Sequence, residues 1–342
     1  MDRRADPGLS VRLRPAAEAG PLRALLEQPM GATWRLATRF GRLDAALARL
    51  GEDVVTVALE QDGRPLACGL RAVKPVWWRG APARLGWLAL LRRDPAIGRI
   101  AALRALPAVY AALATLRRAD ELPFDLSAIL DGNAAAQRLL TRGLTGVPSY
   151  RPRSRYRTAV WSSRAVPRRG VLRPAVAADL PALTALAAPP SWAVLWPRPA
   201  WDAAALDGLL VAERHGSIAA CGRIDDQRGV RDTVLAAMPA APLRPLLNLW
   251  RGLRRLPAIP PVGSPLPLRQ IERWFWNDPG AALDVLAGLV SDGLLAAGWS
   301  ENHPDATVLA AAPHEAVLAT WYAVGDADDA PAGCWHLEAG TL

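Results

Sequence analysis

Alternating apolar and polar residues predict strands through the first quarter of the chain. Residues 11–16 alternate as a strand does, and residues 54–60 and 66–73 are two runs rich in β-forming side chains. Asp62-Gly63 lies between those two runs and suits a tight turn, so they predict a hairpin. The apolar run at 83–91 predicts the next strand.

Apolar residues at helical spacing predict helices at 18–26, 30–50, 100–116 and 133–142. Pro107 lies inside the third of these and should kink or split it, because proline removes a backbone donor. Further strands are expected at 124–130 and 150–161. The predicted order is therefore strand, two helices, three strands, helix, strand, helix, strand.

The second half of the sequence repeats features of the first. The sequence Leu-Arg-Pro-Ala at 13–16 recurs at 172–175. A second set recurs at a separation of 153 residues: Glu60, Gly63, Cys68 and Gly69 match Glu213, Gly216, Cys221 and Gly222. These matches indicate an internal duplication, with one domain at 1–163 and a divergent second domain at 164–342. In the second domain we expect strands at 233–238, 306–311 and 334–338, helices at 281–297 and 314–323, and a Pro- and Trp-rich insertion at 256–277.

Composition narrows the class of protein. The chain of 342 residues is long enough for two cores, and its net charge of +9 suggests anionic partners. Lys74 is its only lysine, so a bias toward arginine explains part of that charge. The longest apolar tracts are interrupted by charges and favour buried helices over membrane spans. No secretory signal is visible, and three distant cysteines are typical of reduced core thiols; we predict a cytoplasmic protein with no membrane partner and no metal.

The segment 93–98 is a short basic turn between the strand at 83–91 and the helical pattern that follows. A strand-to-helix turn presents the amides of the helix N-terminus, which bind phosphate groups. The turn therefore predicts an anion-binding site. An ordinary strand-to-helix connection is the alternative.

The turn, the order of elements and the repeat together resemble the GNAT superfamily of acyl-CoA N-acyltransferases, as a tandem pair of domains. The resemblance implies an α/β (α+β) fold in which each domain has a mixed, mostly antiparallel sheet, splayed at its middle strands, with helices on both faces. The family's pyrophosphate turn, Arg/Gln-x-x-Gly-x-Gly/Ala, matches here at Arg93 and Gly98. It departs at Ala96, and Pro95 supplies no N–H, which weakens the anion cradle.

The family's later signature is an Asn followed by a helix that ends in Tyr-x-x-Gly. Asn133 and Gly143 match it in the first copy, with Leu140 at the tyrosine position, whereas Tyr322 precedes Gly325 at that spacing in the second copy. In many relatives this tyrosine protonates the leaving thiolate.

The resemblance implies acetyl-CoA or another acyl-CoA as donor and the amine of a small molecule as acceptor. The predicted catalytic residues are Tyr322, as the acid, and Glu60, as a candidate base. The predicted donor-binding residues are Trp87, Leu88 and Ala89 at the splay, Arg93, Ala96, Gly98 and Arg99 at the turn, and Asn133.

Two further features lie outside this template. Arg151, Arg153, Arg155 and Arg157 alternate along a predicted strand, so they would share one face and could hold an acidic carrier protein or RNA. A solvated face is the alternative. Five tryptophans in Pro-rich segments would line an acyl or acceptor pocket between the copies, or pack the two domains together: Trp192, Trp196, Trp201, Trp274 and Trp276.

The sequence thus predicts an N-acyltransferase of the GNAT type, with N-acetyl transfer as the first expectation. The departures in the turn and the absence of an obvious base keep open a catalytically degenerate pair that binds a ligand or partner. The arginine pattern keeps open an aminoacyl-tRNA-dependent transferase. The oligomeric state is not predicted.

Overall fold

The computed structural model describes residues 9–337 except 32–34, 163–165, 167–169, 240, 257, 291–292, 328–329 and 332. The predicted domain boundary at 163/164 lies outside the described residues. The strands are β1 (Leu9–Pro15), β2 (Arg35–Phe40), β3 (Glu52–Gln61), β4 (Arg64–Trp78), β5 (Ala81–Arg93), β6 (Glu121–Leu130), β7 (Tyr150–Ser162), β8 (Leu172–Pro174), β9 (Ala193–Pro197), β10 (Leu210–Arg214), β11 (Ser217–Asp225), β12 (Arg231–Ala237), β13 (Leu268–Trp276), β14 (Leu294–Ser300), β15 (Glu315–Gly325) and β16 (Cys334–Trp335).

Eight α-helices are found in the described part of the chain. They are α1 (Arg23–Leu26), α2 (Leu43–Ala48), α3 (Arg99–Ala114), α4 (Ala134–Leu140), α5 (Leu180–Leu186), α6 (Arg244–Leu253), α7 (Pro279–Leu289) and α8 (Ala306–Ala310). Pro107 does not split α3, which is continuous across it. Pro107 lies in the third turn, and its missing N–H costs only one of the helix's hydrogen bonds.

One large sheet joins the two halves of the chain, 9–162 and 170–337. Its strands follow the order β1-β3-β4-β5-β6-β15-β7-β14-β13-β11-β10-β8. The order is symmetric, because each strand counted from one end of the sheet corresponds to the strand at the same count from the other end. The antiparallel pair of β15 and β7 lies at the centre. Each half therefore receives a strand from the other: β15 pairs with β6, and β7 pairs with β14. The predicted fold class, a mixed and mostly antiparallel sheet with helices on both faces, is confirmed.

The sheet splays at a bulge that occurs once in each half. Leu90 and Leu91 together face Gly69 across β4 and β5, and Leu90 has a positive φ of 54°. In the second half Arg273, with φ of 53°, and Trp274 face Gly222 in the same way. A bulge bends its strand. The parallel pairing of β5 with β6 ends at Leu88, just before the bulge.

Helices cover both faces of the first half's sheet. Successive residues of a strand point to opposite faces. Ala58 accordingly packs with α1 and α2, through Leu26 and Leu47, whereas its neighbour Val57 packs in the cluster that contains Leu113 of α3. The α3 face is the one that opens at the splay.

Several predicted elements of the second half are wrong. Residues 306–311 form helix α8 rather than a strand, and residues 314–323 lie in strand β15 rather than a helix. The predicted helix at 281–297 ends at Leu289, and strand β14 follows. The predicted insertion at 256–277 contains β13, a strand of the main sheet. The predicted final strand at 334–338 is shorter, since β16 covers only Cys334–Trp335.

A second small sheet explains part of this error. The strand predicted at 233–238 exists as β12, but it does not occupy the position in the main sheet that β5 occupies in the first half. Instead β12 leaves the main sheet and pairs with β2, and β13 takes the position equivalent to β5. The same pairing makes the predicted helix at 30–50 wrong: Arg35–Phe40 is a strand, and only Leu43–Ala48 is helical. A partner strand almost two hundred residues away leaves no local pattern.

Candidate active site

The basic turn connects β5 to α3 as the sequence predicts. However, its polar groups largely form hydrogen bonds with other groups of the same turn. The Ala96 N–H donates to Asp94 Oδ1 at 2.8 Å, and the Ile97 N–H donates to the Asp94 carbonyl at 3.1 Å. Arg93 donates to the Ile97 carbonyl at 2.7 Å. The carboxylate of Asp94 therefore occupies the position where an anion would meet the turn's amide.

Asp94 is held ionised by its surroundings. The Ala96 N–H, with the hydrogen bond and charge of Arg64, holds the pKa of the Asp94 carboxyl below its usual range. Arg64 lies 2.8 Å from Asp94 Oδ2, at the end of the β3–β4 hairpin. A phosphate that approached this turn would meet two arginines, Arg64 and Arg93, and one carboxylate.

The N-terminus of α3 itself is open. Gly98 is its N-cap, with φ −58° and ψ 139°, and no side chain caps the first turn. A Cβ added at Gly98 would meet nothing within 4 Å, so the space beside the N-cap residue itself is open. Arg99 is the first residue of the helix. Because the first amides of a helix lack intrahelical partners, this end of α3 can bind an anion.

The splay brings residues of three strands into one row. Leu88 of β5 pairs with Ser127 of β6, and Ser127 pairs with Tyr322 of β15. Tyr322 thus reaches the splay of the first half although it belongs to the second. Trp87 points to the other face, where its buried ring packs 5.0 Å from that of Trp321, and Ala89 follows Leu88 toward the bulge.

Three tyrosines lie on the α3 face of this row. The hydroxyls of Tyr110 on α3 and Tyr150 on β7 are 2.5 Å apart, and Tyr150 is within hydrogen-bonding reach of Ser127. The ring of Tyr322 lies 6.0 Å from that of Tyr150. Burial raises the pKa of Tyr110 to about 12 and raises that of Tyr150 well above its usual value. These hydroxyls therefore stay protonated at neutral pH and act as donors.

Tyr322 is buried, and its hydroxyl is aligned by polar neighbours at the open end of the splay. The hydroxyl is within hydrogen-bonding reach of Thr320, which donates to Asp131 Oδ1 at 3.0 Å. Burial, and then the negative charge of Asp131, raise the pKa of Tyr322. Tyr322 is therefore a protonated group, as an acid must be. The predicted helix around it is wrong, so its position follows from the exchanged strand.

Glu60 has a structural environment. Its carboxylate is buried, 2.5 Å from Arg14 and 3.1 Å from Arg12 on the edge strand β1. The repeat reproduces this contact, since Arg173 lies 2.6 Å from Glu213. Two arginines of the neighbouring strand already occupy the Glu60 carboxylate, so the geometry does not favour its predicted role as a base.

A buried ionic cluster lies beside the tyrosines. Arg71, only 3% exposed, pairs with Glu121 and with Asp125 at 2.9 Å, and Arg117 of the α3 end approaches Asp125 to 2.9 Å. Gly86 makes room for this cluster, because a Cβ there would collide with Asp125 and Arg71. The sequence analysis missed this cluster, Asp131 and the Tyr110–Tyr150 pair. A carboxylate directly after a predicted strand was the available signal for Asp131.

The equivalent splay in the second half is closed. Ile224 replaces Arg71 at the matching position, and the space is filled by a core that includes Trp161, Trp274 and Trp299. Helix α7 is capped by Asp278, which accepts from the Ala281 N–H. In the described part of the second half, packed side chains therefore occupy the splay.

The remaining predicted residues have structural contacts. Asn133 caps α4 by accepting from the Ala136 N–H at 3.2 Å. Trp196 is buried, and β9 around it pairs with β4 of the first half. Trp274 and Trp276 lie in a buried core. These contacts favour packing over a pocket for the tryptophans.

The four arginines of β7 do not form one stripe. A register shift at Ser154 disturbs the alternation. Arg153 donates to the carbonyls of Ala327 and Ala330, whereas Arg155 and Arg157 both approach Glu301. The expected shared face of four guanidinium groups is therefore wrong.

The described residues contain no group of three or more His, Cys, Asp or Glu side chains placed to bind a metal ion. Burial lowers the pKa of His303 to about 4 and that of His336 to about 3, and both rings pack against tryptophans. Within the same described part of the chain, every helix is too short or too polar to span a bilayer.

Comparison with known proteins agrees with this architecture. No protein-family model and no curated protein sequence matches the chain. Solved structures do match: an N-myristoyltransferase from Saccharomyces cerevisiae with bound myristoyl-CoA has 12% sequence identity and a TM-score of 0.53, with 94% of this chain and 85% of that chain covered. A complex of myristoyl-CoA and inhibitors with that enzyme has 9% identity and a TM-score of 0.54, with 95% and 82% covered.

A GCN5-related N-acetyltransferase from Anabaena variabilis is also similar, with 13% identity, a TM-score of 0.48 and coverage of 92% and 72%. At these identities the likeness concerns the fold. The chain has the GNAT fold, as its sequence predicts.

Proposed function

We propose that this protein is an acyltransferase that moves an acyl group from acyl-CoA to an amine at the splay of the first half. The observations that carry the proposal are the row of Leu88, Ser127 and Tyr322 on the face that α3 covers, and the N-terminus of α3, which no side chain caps. One end of this site suits the phosphates of a donor, and the other offers a protonated hydroxyl. The yeast N-myristoyltransferase structures, which share the fold, contain myristoyl-CoA.

Each part of the site has a role in this chemistry. The first-turn amides of α3, with Arg64 and Arg93, hold the pyrophosphate. Beyond Leu88, strand β5 no longer pairs with β6. Backbone N–H groups on that edge of β5 can therefore stabilise the oxyanion that forms when the amine attacks the thioester carbonyl. When the C–S bond of the tetrahedral intermediate breaks, Tyr322 protonates the departing thiolate; the proton that the attacking nitrogen loses passes to solvent water, which reprotonates Tyr322.

The carboxylates near the splay are already engaged. Asp94 pairs with Arg64, Asp125 with Arg71, and Asp131 with Arg155 at 2.8 Å. Each of these three carboxylates already binds a guanidinium group and is not free to take the amine proton. The acceptor therefore enters as a neutral amine, and the rate should rise with pH until the acceptor amine is deprotonated.

The test is direct. Release of coenzyme A thiol would be followed with acyl-CoA donors from acetyl to myristoyl and with primary amines of different pKa. The proposal predicts turnover with at least one donor, and a pH profile that moves with the pKa of the amine chosen. A fixed profile with an inflection near pH 5–7 for every amine would instead require a base on the protein.

A second function is favoured by the turn. Asp94 occupies the Ala96 amide and adds negative charge where the phosphates would lie. This arrangement suits a catalytically degenerate protein that binds a ligand or partner. If coenzyme A binds but no donor supports turnover, this second function replaces the first. The aminoacyl-tRNA-dependent alternative rested on the arginines of β7. The contacts described for those arginines are with protein groups, so the structure does not favour this alternative.

A further inference from the structure

Helix α6 carries its apolar side chains on the outside of the protein. We define the α6 stripe as Leu246, Leu249, Trp250 and Leu253, whose exposed fractions are 66%, 65%, 47% and 81%. These positions are spaced by three or four residues, so they lie on one side of the helix. Leu243, which precedes the helix and is 55% exposed, extends the same surface.

The inner side of α6 is polar and firmly attached. Asn248 both donates to the Ile259 carbonyl, at 2.9 Å, and accepts from the Ile259 N–H, at 2.7 Å. Arg251 lies 2.8 Å from Glu315, and Leu247 packs against the small cluster around Ile259. These contacts fix the rotation of the helix about its axis. The outward direction of the α6 stripe is therefore imposed by the fold.

The surroundings of the stripe are basic. From residue 233 to residue 271 the sequence contains no Asp or Glu. Arg244 and Arg251 contact the inner Ile259 carbonyl and Glu315, so the positive charge next to the stripe comes from Arg254 and Arg255 at the end of α6. The guanidinium of Arg254 lies 4.3 Å from the centre of the Trp250 ring. The surface thus combines exposed leucines, a tryptophan and positive charge.

We propose that the α6 stripe inserts into the surface of an anionic lipid membrane, with the helix lying in the plane of the interface. Leucine and tryptophan side chains on one side of a helix, flanked by arginines, are the features of interfacial helices. Tryptophan prefers the headgroup level, and arginines beside it attract anionic lipids. The charge complementarity selects this occupant over a second copy of the chain, whose matching surface would bring the same arginines together.

This inference departs from the sequence-based expectation of no membrane partner, which considered only spanning segments. It does not depend on the proposed function, because no residue of the α6 stripe belongs to the candidate active site. The α6 stripe would hold the protein at the membrane surface without spanning the bilayer.

Sedimentation with liposomes tests the proposal. The full-length protein would be mixed with vesicles of phosphatidylcholine alone, or with about a third phosphatidylglycerol. We expect binding to the anionic vesicles that weakens steeply between 0.1 and 0.5 M salt, on the order of the Debye screening change. The double variant Leu249→Ser/Leu253→Ser should lose at least about tenfold in partition coefficient, since it removes two of the four apolar side chains of the stripe.

Matched variants separate the contributions. Val171, which is 80% exposed but lies elsewhere, provides the control Val171→Ser, which should bind as the wild type does. Replacing Arg254 and Arg255 with Gln should reduce binding to anionic vesicles only. Thermal unfolding of each variant checks that the fold is intact.

Three outcomes would overturn the proposal. The wild type could fail to bind anionic vesicles, or the double leucine variant could bind as well as the wild type. Light scattering could also show a concentration-dependent dimer that the double variant loses, which would assign the α6 stripe to a second copy. Binding of coenzyme A should be unaffected by the leucine variant, so this test and that of the proposed function can fail separately.

Discussion

The two halves of this protein share the same bulged and splayed sheet, but different side chains occupy the splay in each half. Each half has a bulge opposite a repeated glycine, Gly69 or Gly222, and a parallel strand pair that diverges beyond it. In the first half the face below the opening holds Arg71 and the buried tyrosines. In the second half Ile224 and a tryptophan-rich core occupy that face.

The helices that follow the bulge differ in the same way. Among the described side chains of α3, only Leu113 is buried, whereas α7 buries six of its eleven residues. The N-terminus of α7 is capped by Asp278, and that of α3 has no side-chain cap. A duplicated architecture has thus kept one open polar site and converted its counterpart into core. The comparison predicts that the first half acts on ligands and that the second stabilises the structure.

The largest expected effect is on the ionic cluster of the first half. Arg71→Met should lower the free energy of unfolding by about 3–5 kcal/mol, because it leaves Glu121 buried without its cation and leaves Asp125 with only the partly exposed Arg117. Chemical denaturation measures this. Adding Glu121→Gln and Asp125→Asn to that variant should recover much of the loss, since no uncompensated charge remains; a triple variant as unstable as the single one would contradict the charge explanation.

Shortening an apolar side chain should lower the free energy of unfolding more in α7 than in α3. Leu286→Ala in α7 removes a fully buried side chain and should cost about 2–5 kcal/mol in unfolding free energy. Val109→Ala in the partly exposed α3 should cost about 1 kcal/mol or less. Equal losses, measured by the same denaturation experiment, would show that the helices are packed alike and would remove this part of the comparison.

Loss of the proposed acid should reduce turnover. Tyr322→Phe should lower kcat about 100-fold while coenzyme A affinity stays the same, because general acid catalysis acts in the transition state. The matched control is Tyr156→Phe, a buried tyrosine on the adjacent strand that donates to the Leu337 carbonyl. If both variants lose activity equally, Tyr322 has no special role.

The smallest expected effect concerns the turn. Asp94→Asn keeps an oxygen that can accept from the Ala96 N–H but removes the negative charge. Coenzyme A should bind about two- to fivefold more tightly, as expected for one charge near a helix N-terminus. Calorimetry measures the change, and weaker binding would mean that Asp94 holds the donor site in shape.

Local chemistry made the first half largely predictable. The Asp62-Gly63 turn and the apolar run of β5 each determine their element from a few neighbouring residues. The fold class itself was implied by the resemblance to the GNAT superfamily, which the basic turn, the order of elements and the repeat together carried. The second half failed where its strands pair over long distances. The β2–β12 pair and the exchanged β15 have partners that no local pattern announces, so β15 resembled a helix.

The site was predictable only in part. The basic turn was found from its sequence, but its internal closure by Asp94 depends on side-chain geometry. Tyr322 was selected from an incorrect helix and still lies at the splay, because the strand exchange carries it there. The repeat contains a signal that Glu60 has a structural role. Arg14 and Glu60 recur together as Arg173 and Glu213, as the partners of a structural ion pair would.

Coenzyme A binding to the wild type and to Gly98→Asp tests the central claim most directly. Aspartate suits an N-cap with the backbone angles of Gly98, and the space there is open, so the variant should fold and unfold at the same or a higher temperature. Its carboxylate would lie where the donor's phosphates bind. The account predicts that calorimetry detects coenzyme A with the wild type and with Gly98→Ser but not with Gly98→Asp. Unchanged binding to Gly98→Asp would contradict a donor site at the N-terminus of α3.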